Sequence, residues 1–478
     1  MHNEAYDLKS LKLPRLVGPA LKLVTWLVEN PLSRGLIAAA LFENGGINYL
    51  RSYPANDPPT FHPHPPPSTD HDHDSAVPVE ALKALISNGR TGLGFAFKSA
   101  SDYFLAYQQG AASPVEVAER LLAAIEASNA YQPALRAVIA CKPEDVRAQA
   151  RASAERWKVG CPLGPLDGVP VVIKDEVDMA GFATFGGTSC LGERPAEVDA
   201  QAVARLRAGG ALLAGKANMH EIGIGVTGFN QHHGTARNPY HLEHHTGGSS
   251  SGPAASVAAG LAPLALGADG GGSIRIPAAF CGLVGLKPTF GRVSEQGALP
   301  LCWSVAHIGP IAATARDAAL GYLVMAGPDP VDAHTHHQPA PSMAGFENTD
   351  LSDLTIGIYW PWFQHATGEV VQACEAAVQR LQAAGARLQE VTIPELEAAR
   401  VAHMVTITSE MAKGLELAFD QHRKAFSLEV RYDLAMARLF TARDYLQAQC
   451  VRTRSVQHFE RAFQQVDVIL TPATALTA

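Results

Sequence analysis

Along this chain the apolar positions switch repeatedly between a helical spacing and short unbroken runs. SPVEVAERLLAAIEASN (113–129) opens on a serine cap with Pro114 at the first helical position and then carries an apolar stripe, which predicts a helix. LDGVPVVIKDEVD (166–178) gathers a β-branched run and delivers it straight to the charged pair Lys174 and Asp175, as a strand ending in ionisable groups would. In DAQAVARLRAGGALLAGKANMHE (199–221) a helix, a glycine stop and a short apolar strand follow one another, the unit from which layered α/β folds are made. The same rhythm returns in IAATARDAALGYLVMAG, LTIGIYW, VVQACEAAVQRLQAAGARLQEVTI and VDVILTP. It predicts an α/β protein with a mixed sheet covered by helices.

The pattern is different ahead of Glu80. LVGPALKLVTWLVEN (16–30) and LSRGLIAAALFENG (32–45), parted by Pro31, predict two helices that are too short or too interrupted to cross a bilayer. We read them as a pair docked on the body of the protein; with Trp26 and Lys22 beside them, a peripheral membrane contact stays open. YPANDPPTFHPHPPPSTDHDHDSAVPV (53–79) is proline-rich and polar and reads as an extended connector. The expected organisation is therefore an N-terminal helical extension (1–52), a Pro/His-rich connector (53–79) and one large domain (80–478). Its last segment, VDVILTPATALTA, looks like a buried strand running into a turn, so the chain reads as incomplete at its C-terminus.

Composition narrows the function. A formal charge of -8 with no basic tract argues against nucleic acid as a partner. Seven scattered cysteines form neither a CxxC pattern nor a disulfide framework, which fits a reducing compartment. The start MHNEAYDLKS is acidic where a signal peptide is basic, so the chain is expected to be cytoplasmic or peripherally membrane-associated and not secreted. His62, His64, His71 and His73 read as part of a solvated tract, and His232, His233, His244 and His245 as surface or packing residues. With no HExxH or similar spacing, neither a metal nor a cofactor is expected.

The candidate chemistry lies in TGGSSSGPAASVAAGLAPLALGADGGGSIRIP (246–277), where serines sit in two glycine clusters on either side of a small-residue helix and a strand. A serine hydroxyl is a weak nucleophile and needs a base and donors for a developing oxyanion. GSSSG satisfies G-x-S-x-G with Ser250 at its centre, yet LEHHTG before it is no apolar strand of the kind a nucleophile elbow follows. The segment holds no histidine, so the base must come from elsewhere. A lysine can serve where burial or nearby positive charge depresses its pKa, and Lys174, at the end of an apolar strand, is placed for it.

Taken in order, these segments resemble the amidase signature family. GGSSSG, D-x-G-G-S-x-R-x-P and V-x-[IV]-K-D are joined by GKANMHE (215–221), RNP (237–239) and GLKPTFGRVS (285–294). The resemblance implies a Ser-cisSer-Lys triad of Ser273 (nucleophile), Ser249 (proton relay, after a cis peptide bond from Gly248) and Lys174 (base). It further implies an oxyanion hole from the N–H groups of Gly270, Gly271, Gly272 and Ser273, with Asp269 and Arg275 supporting the loop. The implied fold is a large twisted mixed sheet with helices on both faces, continuing beyond VDVILTP. The flanks KLPRLVG, NPLSRGLIAAALFENG, IPELEAARVAH and RDYLQAQC are most similar to the plant-type fatty acid amide hydrolase branch. That branch implies hydrolysis of N-acylethanolamines and related fatty acid amides, through a wide apolar acyl channel. The A-type subunits of glutamine amidotransferases and general aliphatic amidases share the triad, and a non-catalytic scaffold of the same fold is a further alternative. The partners expected are a small-molecule or lipid amide and a second copy of the chain in a homodimer.

Overall fold

Five residues with no charge before the last, Pro170–Lys174, are buried from end to end, and the sheet of the larger unit is built around them. The computed structural model describes residues 6–10, 16–63, 77, 79–86, 98–336 and 338–478. Residues 12–15 of KLPRLVG and His64, His71 and His73 of the expected connector lie outside the described residues. The chain divides into two units, one formed by His64–Pro341 with Leu417–Ser427 and Ala478, the other by Met1–Pro63, Ser342–Glu416 and Leu428–Thr477.

The first unit carries β1 (Val138–Ala140), β2 (Pro170–Lys174), β3 (Leu212–Ala217), β4 (Arg237–Asn238), β5 (His241–His245), β6 (Leu264–Ala268), β7 (Val284–Gly285) and β8 (Ile308–Ala312). Six of them form a mixed sheet in the order β1-β3-β2-β6-β8-β7, while β4 and β5 make a separate hairpin. β2 runs parallel to both β3 and β6, with Ile173 opposite Leu266 and Lys174 opposite Ala217. Three strands therefore end at one edge of the sheet. β1, β7 and β8 pair antiparallel. Strands β2, β3, β6 and β8 are buried along their whole length, which explains why their sequences read as unbroken apolar runs rather than alternations.

Helices supply the cover. The helix Pro114–Ala130 starts on a capping box between Ser113 and Glu116, as its sequence predicts, and buries Leu121 and Ile125 with Val146, Val172, Leu212 and Val257 in one apolar cluster. After the helix Gln201–Ala208, Gly209 forms the cap and Gly210 turns the chain at φ +81 into β3. The small-residue helix Ser251–Ala258 is buried at all eight positions. Its composition follows from close approach: a Cβ on Gly252 would lie 2.3 Å from the Asn218 nitrogen and 2.4 Å from the Ala137 oxygen.

The second unit holds β9 (Thr355–Ile358), β10 (Arg387–Glu390) and β11 (Val468–Ile469), all parallel, in the order β10-β9-β11. The two N-terminal helices form as expected, over Gly18–Glu29 and Arg34–Gly45. Ala38 and Phe42 pack in a cluster with Val401 and Val405 of the helix Leu396–Gly414 and Val451 of the helix Ala442–Phe463. One expectation needs correction. VDVILTP is not a buried strand, because β11 is a two-residue edge pairing with β9 alone and Val468 is 41% exposed. The described start of the connector is tied to its own unit: Arg454 pairs with Asp57 at 2.7 Å, Thr60 bonds Thr453 at 2.8 Å, and Phe61 stacks on Tyr445. Among the described residues, no helix is long and apolar enough to cross a membrane.

Candidate active site

Parallel pairing brings the ends of β2, β3 and β6 to one place, and each end hands over a polar residue. β2 ends on Lys174, β3 leads through Asn218 to His220, and β6 leads into the glycine turn that carries Ser273. The helix Ser251–Ala258, which precedes β6, begins at the same edge, so the serines before it arrive there too.

Lys174 is 1% exposed, which rules out a solvated lysine at a strand end. Its Nζ donates to Ser249 Oγ at 2.8 Å and to the Ala268 carbonyl at 3.1 Å. The peptide bond between Gly248 and Ser249 is cis. The Ser249 carbonyl accepts the His220 N–H at 2.9 Å, and the Ser273 carbonyl accepts the Ser250 N–H at 3.3 Å, so the two serine segments are stitched together through their backbones. Ser273 is 8% exposed, two residues after Gly271, where the turn opens to solvent.

Ser250, at the centre of the G-x-S-x-G letters, has a structural use. Its buried hydroxyl donates to the Ala268 carbonyl at 3.1 Å and lies 3.3 Å from the Ala268 N–H, fastening the helix start to the end of β6.

Asp269 organises the turn. Its Oδ1 accepts from Gly272 N at 2.7 Å and its Oδ2 from Ile274 N at 3.0 Å, while Arg275 closes a two-pronged ion pair on both oxygens. Against the desolvation that burial imposes, the Arg275 guanidinium and the two backbone donors bring this carboxyl down to about 2. The same geometry corrects the expected oxyanion hole. The Gly272 N–H points at Asp269, leaving Gly270, Gly271 and Ser273 as the candidate donors.

Three further groups at this edge went unread in the sequence. Glu176, two residues past Lys174, places Oε2 3.2 Å from the lysine Nζ, and both side chains are buried. His220 is buried, and burial, followed by the Lys174 charge, pushes it down to about 4, which leaves it neutral at pH 7. Lys216 faces Asp175 at 3.9 Å; burial lowers the lysine to about 8 and raises the carboxyl to about 6. Asp175 also accepts the Gly187 N–H at 2.9 Å, so the adjacent residues Lys174 and Asp175 serve different partners. GKANMHE, which contains Lys216 and His220, was the available signal.

The remaining histidines pack or pair. His232 bonds Glu221 at 2.9 Å, His233 sits on Phe185, His244 bonds the Ala478 carbonyl, and His245 packs on Phe280. His62 is partly buried in the second unit.

Comparison with known proteins converges on this region. Residues 119–478 match the family model described as Amidase. Over 99% of its length the chain is 38% identical to a fatty acid amide hydrolase of Medicago truncatula, covering 82% of that protein. The A-type subunit of the glutamyl-tRNA(Gln) amidotransferase of Symbiobacterium thermophilum is 37% identical over 77% of the chain and 80% of its own length. A solved bacterial aryl acylamidase, described as an amidase signature enzyme, superposes with a TM-score of 0.72 at 27% identity over 80% of each chain. A match that takes in every strand end at the lysine–serine contact and most of the chain around it has one meaning: this chain belongs to the amidase family and is an enzyme that hydrolyses amides.

Proposed function

We propose that Ser273 attacks the amide carbon, that Ser249 passes its proton to Lys174, and that the N–H groups of Gly270, Gly271 and Ser273 receive the oxyanion. The proton returns through Ser249 to the leaving nitrogen, the amine departs, and water then releases the acyl group by the same relay. The observation that carries this reading is the 2.8 Å contact from Lys174 Nζ to Ser249 Oγ inside a water-poor site. Trapping the intact protein with a fluorophosphonate and mapping the label tests it. Label on Ser273 is expected, with labelling lost in Lys174→Ala; label on Ser249 or Ser250 with Ser273 free would overturn it.

Long-chain fatty acid amides, N-acylethanolamines among them, are the proposed substrates. The likeness to plant fatty acid amide hydrolases favours this because it includes the N-terminal helices, whereas the amidotransferase likeness spans only 77% of the chain. Each buried methylene of an acyl chain contributes up to about 0.8 kcal/mol. kcat/KM is therefore expected to climb with acyl length across a series of ethanolamides, with glutamine and acetamide poor. A flat series would remove the fatty amide assignment and leave the amidase intact.

A peripheral membrane contact belongs to the same proposal. Leu23 and Trp26 on the first helix, Leu32 in the turn before the second and Leu36 in the second's first turn are all more than half exposed. Such a cluster suits the interface of a lipid bilayer that stores the substrate. Co-sedimentation with phospholipid vesicles, lost in Leu32→Glu/Leu36→Glu, is the expected result; equal sedimentation of the variant would refute it. A homodimer is proposed as well, to be read from the solution mass of the same preparation.

A further inference from the structure

The chain leaves β2 at Lys174 and turns so that the next two acidic side chains go opposite ways. Asp175 faces Lys216 and the Gly187 N–H, whereas Glu176 folds back onto Lys174. Nζ donates to Ser249 Oγ at 2.8 Å and to the Ala268 carbonyl at 3.1 Å, and Glu176 Oε2 lies 3.2 Å from it as an ion-pair contact. A second measure puts the carboxylate beside the relay. A Cβ on Gly223 would lie 3.3 Å from Glu176 Oε2 and 3.5 Å from Ser249 Oγ, so both oxygens rest under one bare Cα.

This surrounding matters because Lys174 must be an amine before it can accept a proton from Ser249. Of the three groups around it, a backbone carbonyl and a hydroxyl cannot hold a proton near neutral pH, and a carboxylate can. In a desolvated site a neutral amine and carboxylic acid compete well with the ion pair. The other titratable groups around Lys174 and Glu176 are Lys216 and Asp175, which pair with each other and both feel the Glu176 charge, with Asp178 beyond them, and His220, a neutral ring beside Lys174.

We propose that Glu176 is a proton-holding positioning residue of the hydrolytic reaction, acting through Lys174. It takes one proton from Lys174, so that an Nζ–H bond breaks and an Oε2–H bond forms. Lys174 then receives the Ser249 proton while Ser249 receives that of Ser273. When the leaving nitrogen takes its proton from Ser249, Lys174 refills Ser249, and Glu176 returns its proton to Lys174. Nothing is consumed. The inference rests on the triad reading above.

The test is the pH dependence of fluorophosphonate labelling in the full chain, which needs no knowledge of the natural substrate. The wild-type rate plotted against pH gives the acid limb against which the variants are read. Glu176→Gln keeps the shape but cannot hold the proton, so Lys174 must lose it to solvent. Its acid limb should move up by about one pH unit or more and recover toward the wild-type plateau at high pH. Glu176→Asp, which retains a carboxyl, should keep the wild-type limb with a lower plateau. A Gln limb that moves down would mean that Glu176 merely stabilises the ammonium, and coincident limbs would mean that it is inert; either overturns the proposal. Absence of label on Ser273 in the wild type would instead bring down the triad reading itself.

Discussion

Asp269 shows how much of a loop one carboxylate can hold. It takes two backbone N–H groups and a guanidinium, and it fixes the turn that carries Ser273 from behind. Because its folded value of about 2 lies below its ordinary 3.8, its stabilisation is fully present above about pH 4 and is lost as pH falls through about 2. Asp269→Asn is expected to cost about 2 kcal/mol of stability at pH 7, and the gap should close toward pH 2. Melting curves of both proteins over that range check it, and a gap independent of pH would show that the charge is not what holds the turn. At this scale the meeting of Lys174 with Ser249 was legible in the motifs that carry them. It was not legible where direction decides. Gly272 looks like its glycine neighbours in the sequence, yet its N–H turns inward to Asp269. Glu176 follows Asp175 as one more acidic residue, and only the turn after β2 separates the two.

Among the elements, legibility followed burial. Strands β2, β3 and β6 are covered on both faces, so their apolar runs announced them, and the helix Pro114–Ala130 carried its capping box in its letters. The two-residue strands β4 and β7 left no such mark, being set by what their neighbours leave to pair with. VDVILTP misled for a related reason. An apolar composition records what could be buried, while the edge position of β11 settles how much is. The small-residue helix was readable, but its cause was not. Only the 2.3 Å approach of a Gly252 Cβ to Asn218 shows that the helix is made small by the strand end it lies against.

On the scale of the whole molecule, the proposed reacting groups come from far apart in the chain: Lys174 reaches a serine 75 residues away, and Ser273 arrives only after a further strand. They meet because β2 pairs in parallel with both β3 and β6, and parallel pairing joins segments distant in sequence. Such contacts form slowly, since a long loop must close before any of them is rewarded. Chemical competence should therefore be a late event in folding. When the denatured chain is returned to native conditions, helical signal is expected to recover first and fluorophosphonate reactivity afterwards, with a lag between them. Simultaneous recovery would mean that the sheet assembles with the helices. With the lag, a nascent chain that has made Lys174 and Ser249 but has not yet seated β6 holds every proposed reactive residue up to that point and no active site, so it is shielded from hydrolysing amides before it is finished.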